Sequence, residues 1–161
     1  MSDKKFKKVL TFMFGIFIIA ILILFFVSDR RDQSVKEVEN EFGIEIPKGV
    51  KRERELYKEL DFHGDGEAAI LFSAGESDIK AVEKELKDYR VINDKDKEAA
   101  IETCYKEVCK RGFDPSLSLD NKKYFKETSN YKFGNAYGNF IAIIIDEEKN
   151  EILFLKWDTW F

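Results

Sequence analysis

The sequence predicts an α+β protein in which an N-terminal transmembrane helix precedes one domain with an antiparallel sheet of about five strands and two to three helices on one face. A long uncharged apolar run near the N-terminus indicates the membrane helix. Candidate strands and helices then cluster along the chain instead of alternating, which is typical of α+β folds. Two apolar stretches, 140–145 and 151–157, flank a short polar turn and predict a closing hairpin.

The membrane prediction depends on residues 9–27, VLTFMFGIFIIAILILFFV, in which only Thr11 and Gly15 interrupt the apolar run. A helix of this length spans roughly 28 Å, close to the ~30 Å hydrocarbon core of a bilayer. The run is longer than the apolar part of a secretory signal, and the bulky residues at 25–27 do not suit a cleavage site. We therefore expect an uncleaved signal anchor, with a removed signal peptide as the alternative.

The basic residues around this run predict its orientation. Lysines are concentrated at 1–8, and fewer basic residues lie within about 15 residues after the run. Because basic residues favour the cytoplasmic side, we expect a cytoplasmic N-terminus and an extracytoplasmic main domain in a single-pass protein of the cell membrane. Residues 28–50 then form a juxtamembrane helix and linker, and 51–161 form the α+β domain.

The juxtamembrane helix is predicted from its ends and its periodicity. Ser34 and Glu37 have the spacing of a capping box, and Gly43 suits a helix C-terminus. The apolar side chains between them lie on one helical face. They are Val35, Val38 and Phe42.

A hairpin follows at 54–62 and 67–73. The composition of its first half also suits a helix, but His-Gly-Asp-Gly at 63–66 is strong turn chemistry and favours the hairpin. Two amphipathic helices come next, the first capped at Ser77 and Asp78 and the second closed by Gly112. Their apolar stripes are Ile79, Val82, Leu86 and Tyr89, then Ile101, Cys104, Tyr105 and Val108.

The C-terminal third reads as sheet. A candidate strand covers 122–128, and 140–145, Phe-Ile-Ala-Ile-Ile-Ile, is apolar on both faces, which predicts a central strand. Asn150 can take a positive φ in the turn before the last strand at 151–157. These strands and the earlier hairpin give the expected sheet of about five strands.

Composition excludes several classes of function. The chain has 161 residues, 27 Lys+Arg and 31 Asp+Glu, for a net charge of −4, which is not typical of a nucleic-acid-binding protein. One His and two Cys are too few for a four-ligand His/Cys zinc site, and we expect no cofactor. Cys104 and Cys109 are five residues apart on a predicted helix, so a disulfide between them requires the helix to unwind. Cys104 is expected in the core.

Four polar residues around the His-Gly-Asp-Gly turn form a candidate metal or ligand site: Asp61, His63, Asp65 and Glu67. The first three match ligand positions of an EF-hand loop, but the position that needs a bidentate Glu is Phe72, which excludes an EF-hand. A structural turn is the simpler interpretation. A weaker divalent-cation site, or a hydrolase site built on His63, remains as the alternative.

Aromatic residues form a second candidate site. Tyr131, Phe133 and Tyr137 lie in the Gly/Asn-rich segment 129–139, and Trp160 lies close to the C-terminus. Rigid rings on such a loop suit recognition of a protein or glycan. The alternative is that the loop rings fold over the core and that Trp160 covers the sheet edge.

Two stretches, FHGDGEAAILFS at 62–73 and FIAIIIDEEKNEILFLKWDT at 140–159, resemble a set of small exported or lipid-anchored domains of Gram-positive bacteria. Those domains have an early HGDG hairpin and a closing hairpin, and they have no assigned activity. The chain departs from the lipid-anchored members because it has no cysteine at an attachment site near the apolar run. The resemblance therefore supports the architecture and leaves the function open.

The sequence is best interpreted as a non-catalytic binding module that faces outward from the membrane. Its expected partner is an envelope protein or a glycan, and an immunity-like role is included. The alternative is a cell-envelope hydrolase or a divalent-cation-binding domain that uses Asp61, His63 and Asp65. No catalytic residue is assigned, and the oligomeric state stays open.

Overall fold

A computed structural model describes residues 32–57, 66–128, 132–133 and 136–158. In chain order, it contains a first helix, a strand pair, two further helices and a C-terminal group of strands. The helices are α1 (Gln33–Phe42), α2 (Glu76–Leu86) and α3 (Lys95–Lys110), with a short 3₁₀ turn at Lys87–Tyr89. The strands are β1 (Lys51–Tyr57), β2 (Gly66–Ser73), β3 (Lys122–Glu127), β4 (Lys132–Phe133), β5 (Ala136–Tyr137), β6 (Phe140–Asp146) and β7 (Glu151–Asp158).

Five strands form one sheet in the order β1-β2-β7-β6-β3, and all neighbours are antiparallel. The short strands β4 and β5 pair separately. The α+β class and the five-stranded antiparallel sheet are therefore confirmed. The run at 140–145 lies in β6, an inner strand whose residues are all buried, as its lack of polar alternation predicted.

The helices cover both faces of the sheet, so the prediction that they share one face is wrong. Ile141 and Ile143 of β6 belong to a core cluster with α1 and α2, whereas Ala142 and Ile144 belong to a second cluster with α3. Successive side chains of a strand point to opposite faces. A strand that is apolar on both faces therefore needs cover on both, and α3 supplies the second layer.

The prediction of a transmembrane helix, and with it of a single-pass protein of the cell membrane, is contradicted by the structure. In the part of the chain that the structure describes, no helix is both long and apolar enough to cross a bilayer. The range 9–27, on which that prediction depended, lies outside the described residues. The helix α3, at 16 residues, places a buried stripe against charged outer positions, as a helix packed on a sheet does.

The helix α1 packs against the sheet and is part of the same compact unit, which runs from Ser34 to Phe161. Ser34 lies inside α1 instead of capping it, and its hydroxyl donates a hydrogen bond to Glu55 Oε2 at 2.9 Å. Gly43 ends the helix as predicted, with φ of 72°. The segment predicted as juxtamembrane therefore contributes its apolar face to the core. The residues concerned are Val35, Val38 and Phe42.

The other local predictions have mixed outcomes. The hairpin is confirmed, since β1 pairs with β2, although β1 begins earlier than expected and 58–65 lie outside the described residues. The positive φ angles of Gly112 (86°) and Asn150 (57°) confirm the predicted helix end and turn. The caps predicted for α2 are wrong, because its N-cap is Gly75 and makes no side-chain capping bond.

Candidate functional site

The aromatic residues proposed for recognition are only partly within the described chain. Phe133 and Tyr137 lie on β4 and β5, which pair in antiparallel register. Tyr131 and Trp160 lie outside the described residues. The two strands form a short antiparallel pair, and the recognition role of the four residues stays a prediction.

Of the four residues proposed as a metal or ligand site, the structure describes Glu67, at the start of β2, while Asp61, His63 and Asp65 lie outside the described residues. Arg111, at the C-cap of α3, pairs with Glu67 through Nε and Oε2 at 3.0 Å. A cation at Glu67 would compete with this guanidinium. Within the described ranges, no group of three or more His, Cys, Asp or Glu side chains can hold a metal ion.

The two cysteines are free thiols on α3, which agrees with the prediction that the helix holds them apart. Cys104 is fully buried, as expected of a core residue. Burial raises the pKa of the Cys104 thiol, and it also raises the pKa of the partly exposed Cys109. Because the thiolate is the nucleophilic form, neither environment activates a cysteine.

A surface pocket of about 300 Å³ lies where the chain between α2 and α3 meets the start of β3. Its walls come from residues 90–93, from Glu98 in the first turns of α3, and from residues 120–123. Two of its walls belong to regular elements, α3 and β3. It combines positive, negative, amide and apolar side chains in one concave surface.

The pocket exists because the chain leaves the sheet edge abruptly. Arg90 forms an antiparallel bridge with Tyr124, and the Val91 amide donates to the Lys123 carbonyl at 2.9 Å. Asn93 then takes a φ of 55° and turns the chain away from β3. At the following residue, Asp94, the side chain accepts a hydrogen bond from the Lys97 amide and begins α3. A gap therefore stays open between the turn and the start of β3.

Charges of both signs line this pocket without neutralising one another. Arg90 and Lys123 are positive, and Glu98 and Asp120 are negative. Among the described residues, none of these four side chains forms an ion pair of 4.0 Å or less. The neighbouring Lys122 differs, because its ammonium is bound by two carboxylates. These are Glu83, at 2.8 Å, and Glu147.

An apolar side chain also marks the pocket. Ile92 is 69% exposed and is the large hydrophobic residue that stands out as exposed in the described chain. Val91, beside it, is half-buried. A single exposed apolar residue is ordinary on a protein surface, but this one lines a concave site that also holds charges of both signs.

Tyr124 lies behind this surface and gives a testable pH dependence. Burial raises its pKa to about 12, and the neighbouring Glu83 carboxylate adds to the shift. The unfolded chain ionises tyrosine near pH ~10, so folded and unfolded states differ above that value. The stability contributed by neutral Tyr124 is complete below pH ~10 and is lost as the pH rises through about 12.

We expect the difference in unfolding free energy between the wild type and Tyr124→Phe to shrink as the pH rises from ~8 to ~11. Urea denaturation at a series of pH values measures it. The Phe variant is the matched control, because lysines and other groups that titrate in this range are common to both proteins. A difference that stays constant with pH would contradict the raised pKa.

Comparison with protein-family models, with curated proteins and with solved structures gives no match for this chain. The resemblance to exported Gram-positive domains accordingly stays a prediction. The function is therefore argued from the geometry of the pocket.

Sequence reasoning did not identify the pocket residues. The order Arg90-Val91-Ile92-Asn93 does contain a signal, because two apolar residues stand between polar ones outside any helical or strand period. The other wall, at 120–123, is distant in sequence. The bridge of Arg90 with Tyr124 and the bond from the Val91 amide to the Lys123 carbonyl bring the two walls together.

Proposed function

We propose that this domain is a non-catalytic binding module and that the pocket beside β3 is its binding site. The observation that carries the proposal is the presence, in one concave surface, of exposed Ile92 and of charges of both signs that form no ion pair with one another. A ligand that contacts this surface gains partners for charged groups and also covers apolar area. The covered apolar area contributes to affinity, and the charged groups fix the orientation of the ligand.

The energies support binding of modest affinity. Fully burying an isoleucine side chain is worth about 1.5–3 kcal/mol, so covering the exposed part of Ile92 contributes about 1–2 kcal/mol. A hydrogen bond to a charged group adds about 1.5–3 kcal/mol when it is well formed, and less at an exposed site. Because α3 and β3 carry part of the lining, the polar groups are held in place before a ligand arrives.

The proposal is tested by NMR on the full chain labelled with ¹⁵N and titrated with a library of small polar fragments. We expect binding fragments to shift the backbone amides of 90–93 and 120–123. The double variant Arg90→Ala with Lys123→Ala should lose these shifts. Lys84→Ala is the matched control, since Lys84 is an exposed lysine on α2 outside the pocket.

Two results would overturn the assignment of the site. One is a library in which no fragment binds at all. The other is a set of fragments whose shifts map to a different surface and survive the double variant. Circular dichroism of each variant confirms that a loss of binding does not come from unfolding.

A further inference from the structure

We propose that the pocket takes a small zwitterion with an apolar side chain, such as an apolar α-amino acid or a short peptide, by recognising its ammonium and carboxylate together. This inference rests on the proposed binding function and names the chemistry of the ligand. It is carried by the arrangement of the four charged side chains. The positive pair and the negative pair share one pocket but are not paired with each other.

Each charge of a zwitterion has a matching group in the pocket. Arg90 offers a planar guanidinium, which binds a carboxylate through two parallel hydrogen bonds, and Lys123 adds a second cation. Glu98 and Asp120 offer carboxylates to an ammonium group, which has three donors. The amide side chains of the lining both donate and accept, so they suit either end of the ligand. These are Asn93 and Asn121.

A ligand with a single charge fits less well. A simple anion would meet the carboxylates of Glu98 and Asp120. A simple cation would meet Arg90 and Lys123. Like charges at close range are unfavourable, so each singly charged ligand gains one pair and is repelled by the other. A zwitterion gains both pairs.

The size and the apolar lining point to the same class. A volume of about 300 Å³ is at the lower end of the range for ligand pockets, which favours a ligand smaller than a drug molecule. Val91 and Ile92 provide the apolar surface. An aliphatic side chain between the charged groups would cover Ile92, whose side chain is largely exposed to water.

The experiment compares three probes on the full chain by calorimetry and NMR: L-leucine, N-acetyl-L-leucine, which lacks the ammonium, and L-leucinamide, which lacks the carboxylate. We expect leucine to bind and each derivative to bind at least about tenfold more weakly, since removing one charge leaves its partners in the pocket unpaired. Leucyl-leucine distinguishes the two sources of such a zwitterion. Tighter binding of the dipeptide than of leucine identifies a peptide, and weaker binding identifies a free amino acid.

Variants of the charged residues show which pair binds which end of the ligand. The double variant Arg90→Gln with Lys123→Gln should weaken the binding of leucine and abolish the binding of N-acetyl-leucine. The double variant Glu98→Gln with Asp120→Asn should weaken the binding of leucine, and it should leave the binding of N-acetyl-leucine unchanged or make it tighter. Lys84→Ala should leave leucine binding as in the wild type. These patterns separate recognition of charge from a general loss of folding.

The outcomes separate this inference from the function on which it rests. Equal binding of leucine and its two derivatives overturns the zwitterion assignment, as does a leucine response that maps outside 90–93 and 120–123. If other fragments bind the pocket while leucine does not, the zwitterion inference fails and the binding function stands. If nothing binds the pocket, both fail.

Discussion

Phe154→Ala is expected to lower the free energy of unfolding by about 3–5 kcal/mol. Phe154 is fully buried on β7, the middle strand of the sheet, where Ile70 and Ile143 are its neighbours in register. Its ring meets that of Phe42 on α1 edge to face, with 6.4 Å between centroids. Removing the ring therefore leaves a cavity between the sheet and α1. Urea denaturation at neutral pH measures the loss.

A matched control for this prediction comes from the surface. Ile92→Ala also removes apolar atoms, but at a side chain that is 69% exposed, so its effect should stay within about 0.5 kcal/mol. If Phe154→Ala cost no more than the Ile92 variant, the packing of α1 and α2 on this face of the sheet would be wrong. The pair thus tests the layer that α1 and α2 form on this face of the sheet.

The elements of the fold were predictable because their signals are local. Gly43 and Gly112 end helices with positive φ, and Asn150 makes the last turn, as their residue types suggest. The placement of all helices on one face was an error of interpretation rather than a missing signal. The sequence of the run at 140–145 is apolar on both faces, and such a strand requires cover on both.

The candidate site was not predictable, because it depends on contacts between distant parts of the chain. Nothing local indicates that Arg90 pairs with Tyr124, and without that bridge the turn at Asn93 has no wall opposite it. The residues that do stand out locally are the aromatic segment 129–139 and the His-Gly-Asp-Gly turn. Segments of unusual composition are the ones that a sequence makes conspicuous. The pocket, in contrast, is made of ordinary polar residues that the sheet edge brings together.

Phe42→Ala is the second large effect we expect, again about 3–5 kcal/mol, and it tests whether α1 belongs to the folded domain. Phe42 is 1% exposed, and its ring lies 5.5 Å from that of Tyr89 at 88°. The Tyr89 hydroxyl donates to the Phe42 carbonyl at 3.2 Å, and Lys126 Nζ donates to the Glu41 carbonyl. These bonds satisfy carbonyls at the end of α1, where helices lack internal partners. A linker helix outside the core would tolerate the change.

Lys36→Ala is the control on the same helix, since Lys36 is exposed and its loss should change stability by no more than about 0.5 kcal/mol. Because the rings of Phe42 and Phe154 touch, the double variant should be less destabilised than the sum of the two single changes, by about 0.5–3 kcal/mol. Strict additivity would mean that the two rings occupy separate sites. A coupled loss would establish that α1 and β7 share one core, so the segment from Gln33 to Phe42 is part of the folded domain.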